Sequence, residues 1–205
     1  MSSNLVAWVL CPQVAGHAII KAYKNLLSWG DMTGSVSYSR GHLRQEILIG
    51  GISNAIFNGL IAWWMLRSGP PLSWGGEPGF AMDIIATGLL LPLIIAAIVI
   101  PLQRGKLRRG KLRAIDLGPS STIQSIANRM PASTWKSALL FGLFGMCVIA
   151  PLTLLGFYLA GVEQVAPVNY AIFKGIWAGL IAALLVVPMV LIALRGPGPS
   201  SALTQ

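Results

Sequence analysis

Four long apolar stretches, Ile47–Leu66, Phe80–Leu102, Ala138–Ala160 and Ala171–Leu194, decide what this chain can fold into. A helix of about twenty residues, rising 1.5 Å per residue, spans the roughly 30 Å hydrocarbon core of a bilayer. Backbone groups in hydrocarbon find no water to bond, so a segment that crosses it must be helical or part of a closed barrel. Composition points the same way: 55% of residues are hydrophobic and 10% charged, against roughly 25% charged in soluble domains. The fold expected is an all-α integral membrane protein with four transmembrane helices in two hairpins. An N-terminal interfacial segment and a short cytoplasmic amphipathic helix complete it.

The boundaries follow from where the apolar runs stop. Residues 1–45 form the N-terminal interfacial and cytoplasmic segment, 46–102 the first hairpin, 103–136 a basic loop, 137–195 the second hairpin and 196–205 a tail. Leu5–Ile20 is short for a span and is interrupted by Pro12, Gln13, Gly16 and His17. It reads as interfacial or re-entrant, a fifth span being the alternative. Gly30–Gly41 reads as a polar loop.

Orientation comes from the basic residues. Eight of the fifteen Lys and Arg lie in Gln103–Lys136, and Asp116 is the only acid there. The segment opens with a tandem pentapeptide, Arg104-Gly-Lys-Leu-Arg108 and Arg109-Gly-Lys-Leu-Arg113. Basic clusters in short loops stay on the cytoplasmic side, which puts this loop and both termini in the cytoplasm, in a bacterial inner membrane. Arg104, Lys106, Arg108, Arg109, Lys111 and Arg113 are then candidate contacts for anionic lipid. The net charge of +9 is accounted for by orientation and lipid contact, and nucleic acid is not expected as a partner. Within Ser120–Met130, Ile123, Ile126, Ala127 and Met130 follow helical spacing, so this segment is the amphipathic helix expected on the inner leaflet.

Chemistry has few residues to work with. Cys11 and Cys147 lie in separate apolar segments without CxxC spacing, and neither a disulfide nor a metal site is expected. Gly105 to Lys111 has P-loop spacing, but Leu112 stands where the magnesium-binding hydroxyl is needed. The histidines, His17 and His42, lie outside the four spans, so no cofactor is expected; a pigment or haem held at the membrane edge by His17 is the one possibility left open. The N-terminus lacks the pattern of a cleaved signal and is expected to be retained.

What remains is a set of polar groups inside hydrocarbon. Asp83 and Lys174 are the acid and base within the apolar runs, and each costs at least about 2.5 kcal/mol there unless it faces the bundle interior and pairs. A structural ion pair, a proton- or ion-handling pair, and a Lys174 that snorkels to the interface are the three readings. Asn54 and Asn58 lie four apart on one helix face, where interhelical hydrogen bonding or substrate contact are the alternatives. Asp83 and Lys174 also sit alike, each followed after five residues by Gly-Leu (Gly88-Leu89, Gly179-Leu180), which suggests two related hairpins in parallel orientation. Spans rich in small residues and prolines, without catalytic motifs, fit a non-catalytic accessory or scaffold subunit of a larger inner-membrane complex. Its partners would be anionic lipid and other integral membrane subunits, or further copies of itself. A small transporter or channel using Asp83, Lys174, Asn54 and Asn58 is the alternative.

Overall fold

The computed structural model describes residues 36–76, 79–112, 114, 129–131 and 133–195. The expected interfacial segment with His17, nearly all of the expected amphipathic helix, Arg113 and the tail lie outside them. Among the described residues four long helices are present: α1 (Val36–Leu66), α2 (Phe80–Arg108), α3 (Thr134–Leu159) and α4 (Pro167–Ala193). Each contains a stretch long and apolar enough to cross a membrane, that of α1 being Leu43–Leu66.

Two boundaries differ from the sequence expectation by more than five residues. Helix α1 begins in the segment expected to be a polar loop, ten residues before Glu46, because a helix need not be apolar where it leaves hydrocarbon, and Leu43, Arg44, Gln45 and Glu46 favour it. Helix α2 runs two turns past Leu102 into the basic segment, through Pro101. Gln, Arg, Lys and Leu there are good helix formers, and Gln103 is fully buried, so packing holds the extension. The helix stops at the second glycine of the tandem pentapeptide. Gly110 takes φ +69°, its N–H bonds the Leu107 carbonyl, and the Lys111 N–H bonds the Lys106 carbonyl. Those are the two bonds of a Schellman cap, which glycine admits without steric cost.

Proline shapes α3. The N–H-less Pro151 would press its ring on the Cys147 carbonyl in an α-helical turn. Here Gly145–Ile149 instead forms a π turn, in which the Ala150 N–H reaches back five residues to the Gly145 carbonyl. A second Schellman cap, with Gly161 at φ +65°, ends α3 through bonds from Gly161 to Tyr158 and from Val162 to Phe157.

Packing depends on small residues. Helix α4 is the most enclosed, with 61% of its apolar window buried against 6% for α1. Along α1, Gly51, Ala55 and Gly59 meet Ala171, Gly175, Gly179 and Ala183 of α4: a Cβ on Gly179 would lie 2.8 Å from the Ala55 Cβ and 2.8 Å from the Gly51 carbonyl oxygen. Between α2 and α3 the contact passes through Gly88, Gly142 and Gly145. Without a hydrophobic force between helices in lipid, backbone approach of this kind supplies the dispersion contacts that hold a bundle. Outward residues such as Ile52, Phe57 and Leu60 on α1 and Leu152 on α3 are exposed and apolar.

The connections Arg67–Gly79 and Ala160–Ala166 lie at the same end of the bundle. There β1 (Leu72–Ser73) pairs antiparallel with β2 (Gln164–Val165), Leu72 opposite Val165 and Ser73 opposite Gln164. The Trp74 indole N–H donates to the Val162 carbonyl at 2.6 Å. Beneath this clasp, Trp74, Phe80, Phe157, Phe173 and Trp177 form a chain of ring contacts, successive centroids lying 4.9–6.2 Å apart.

Candidate functional site

The first turn of α2 and the second turn of α4 bring Asp83 and Lys174 together. Lys174 Nζ lies 2.6 Å from Asp83 Oδ1 and 2.7 Å from Oδ2. The Tyr170 hydroxyl donates to Oδ2. The fourth apolar stretch begins at Ala171, one residue past Tyr170. Helix α4 starts earlier than expected, at Pro167, so Tyr170 lies one turn before Lys174 on the same face, a spacing that would have singled it out. Both α4 side chains therefore converge on one carboxylate. Lys174 is 13% exposed and Asp83 34%, while Tyr170 is buried at 1%. The cluster is electrically neutral, and its charges meet in bidentate hydrogen-bonded geometry, the condition under which an ion pair offsets its desolvation. Lys174 points into the pair rather than out to the interface.

A second link lies deeper in the bundle. The Trp177 indole N–H donates to Thr153 Oγ1 at 2.9 Å, and the Thr153 hydroxyl donates to the Ile149 carbonyl at 2.8 Å. That carbonyl belongs to the π turn, so a side chain of α4 is tied through Thr153 to the irregular stretch of α3.

Asn54 and Asn58 are not joined to the charge pair. The Asn54 amide donates to the Gly50 carbonyl at 2.8 Å and the Asn58 amide to the Asn54 carbonyl at 3.0 Å, both on their own helix. In lipid this is the cheapest way to satisfy an amide, and it keeps the stripe smooth enough for Gly51 and Gly59 to touch α4.

At the opposite end, the basic residues divide into two groups. Lys106 pairs with Glu46 at 2.7 Å, and Arg104 donates to Thr134 Oγ1 at 3.2 Å. Arg195 donates to the Met130 carbonyl at 2.9 Å. Burial, and then the nearby guanidinium groups of Arg195 and Arg108, disfavour the charged form of Arg104. Arg108, Arg109 and Lys111 are exposed. Of the five described cations expected at anionic lipid, two are thus engaged within the protein and three face outward.

An open groove of about 440 Å³ lies between α2 and α3, lined by Trp74, Ile85, Met146, Pro151, Tyr158 and neighbouring leucines. Among the described residues no group of three His, Cys, Asp or Glu side chains is placed to hold a metal ion. No protein-family model matches the chain, and no curated protein or solved structure is significantly similar to it.

Proposed function

We propose that the protein is a non-catalytic accessory or scaffold subunit of a larger assembly in a bacterial inner membrane, with its basic end and both termini in the cytoplasm. The observation that carries this reading is the closure of the intramembrane polar groups on one another. Lys174 and Tyr170 occupy the Asp83 carboxylate, Trp177 occupies Thr153, and Asn54 and Asn58 bond their own helix. The Asp83 cluster and the Trp177–Thr153 bond hold helices together, the two amides are spent within α1, and the apolar faces of α1 and α3 are left to lipid or to neighbouring subunits. Arg108, Arg109 and Lys111 supply the contact with anionic headgroups.

Purification in mild detergent followed by mass measurement tests the proposal. Co-purification of other membrane subunits in fixed ratio is expected. A homogeneous particle of this protein alone overturns it. Reporters active on one side of the membrane, placed at Gly75 and after Leu112, test the orientation; cytoplasmic activity is expected only at the second.

One observation favours the second reading, a small transporter or channel: a third of the Asp83 side chain remains open. Flux through proteoliposomes that is lost in both Asp83→Asn and Lys174→Met would support that reading, and flux that neither substitution changes would remove it.

A further inference from the structure

The two glycine seams carry the same contacts. On one, a Cβ at Gly179 would meet the Ala55 Cβ and the Gly51 carbonyl oxygen; on the other, a Cβ at Gly88 would meet the Ala150 Cβ and the Gly145 carbonyl oxygen, each at 3.0 Å. In the reverse direction, Gly51 faces Ala183 and the Gly179 carbonyl, while Gly145 faces Pro92 and the Gly88 carbonyl. Helix α1 thus packs on α4 as α3 packs on α2.

One numerical offset relates α2 to α4. Asp83 and Lys174 are 91 residues apart, and Gly88 and Gly179, Pro92 and Ala183, and the paired strand residues Ser73 and Gln164 stand at the same separation. Two of these equivalent pairs touch each other: Asp83 meets Lys174 and Ser73 meets Gln164. Equivalent residues in mutual contact are what a two-fold axis requires of the residues lying on it.

The relation between α1 and α3 is as close, with one departure. Gly51 corresponds to Gly145 and Ala55 to Ala150, so four residues become five, and the extra residue falls in the π turn Gly145–Ile149. Beyond the turn the match resumes: the Asn58 side chain bonds the Asn54 carbonyl as Thr153 bonds Ile149. A π turn is the usual structural consequence of one residue added to an α-helix that keeps its register on both sides.

We infer that the bundle is a covalent pair of like hairpins, α1–α2 and α3–α4, each docking surface fitting a second copy of the same unit across a two-fold axis, with one residue inserted in α3. The axis passes between Asp83 and Lys174 and through the Ser73–Gln164 strand pair. The inserted residue distinguishes the halves. Hairpin one has Gly59 against Gly175, whereas its counterpart position in hairpin two is Leu154, one of the residues lining the open groove.

Single-residue deletions in the full-length protein test the inference. In a Pro151→Ala background, which serves as the parent here because it frees an α-helical turn from the ring clash, removing Val148 returns the Gly145–Ala150 spacing to that of Gly51–Ala55. The protein is expected to stay monodisperse in detergent with its Tm within about 5 °C of the parent, a shift of the size caused by small packing changes in chains of this length. Removing Leu152, outward-facing on the same helix but past the π turn, should abolish folding or lower Tm by more than about 15 °C. Equal damage from the two deletions, or equal tolerance of both, overturns the inference. Charge exchange gives an independent measurement. Asp83→Lys combined with Lys174→Asp should recover most of the stability that either change alone loses by placing like charges together, the remainder being the Tyr170 bond, whose counterpart position is Gly79. A double variant no more stable than the single ones overturns the proposal.

Discussion

The two ends of the bundle are held by different means. At the end with the short connections, these connections and the helices beneath them join through backbone pairing of β1 with β2, a chain of aromatic rings and the cluster of Asp83, Lys174 and Tyr170. At the basic end, long side chains reach out to a carboxylate, a hydroxyl and a carbonyl: Lys106 to Glu46, Arg104 to Thr134 and Arg195 to Met130. The first kind of joint combines strand pairing, ring contacts and the buried Tyr170, and depends on geometry. The second is flexible and partly solvated, so salt weakens it. The difference teaches that formal charge is a poor guide to where cohesion lies: most of the charges sit at the basic end, and the tighter joint sits where two of them are enclosed.

Removing one partner of the enclosed pair should therefore have the largest effect. Asp83→Leu is expected to cost roughly 3 kcal/mol, the lower part of the range for broken buried pairs because the carboxylate is partly open. At about 2–4 °C per kcal/mol, Tm should fall by roughly 6–12 °C. Lys174→Met should act similarly, and the double variant should recover most of the loss, with a coupling of at least about 0.5 kcal/mol. Strict additivity in a thermal melt would dissolve the contrast between the ends.

Tyr170→Phe comes next. It removes one donor to a charged acceptor and little volume, so a loss of about 1.5 kcal/mol is expected in the same melt. An unchanged Tm would show that Lys174 alone satisfies Asp83. Thr153→Val should cost about 1 kcal/mol, since it leaves the Trp177 indole N–H without its acceptor; Trp177→Phe in the same background should add little. The smallest effect is expected at the basic end, where Glu46→Gln should lower stability by less than about 1 kcal/mol. That loss should shrink further as ionic strength rises. A loss at Glu46 as large as that at Asp83 would overturn the distinction between the two joints.

Much of the bundle was legible in the chain because hydrocarbon leaves few alternatives. Runs of twenty apolar residues located α2, α3 and α4 to within a turn or so at most ends, and a lone acid and base in those runs marked Asp83 and Lys174 as a pair to be weighed. The parts missed have local physical causes. Helix α1 starts among polar residues that carry no hydropathy signal, and α2 outlasts its apolar run because packing of Gln103 and the cap at Gly110 decide its end. Tyr170 was hidden by one misplaced helix start. For the amides of Asn54 and Asn58 the sequence leaves interhelical bonding and substrate contact as alternatives; each donates to the carbonyl one turn back on its own helix. The π turn left only the indirect mark of Pro151, since no residue pattern distinguishes an inserted residue from its neighbours.

The cap at Gly110 has a consequence for the tandem pentapeptide. Two identical five-residue words are written in succession, and the helix ends with the first while the second supplies its cap. Lys106 and Arg104 in the first copy are structural members with partners on other helices, whereas Arg109 and Lys111 in the second stand past the last turn with their charges outward. The same substitution made in each copy is thus two different experiments, one that alters how the helices are tied and one that alters only what the surface attracts.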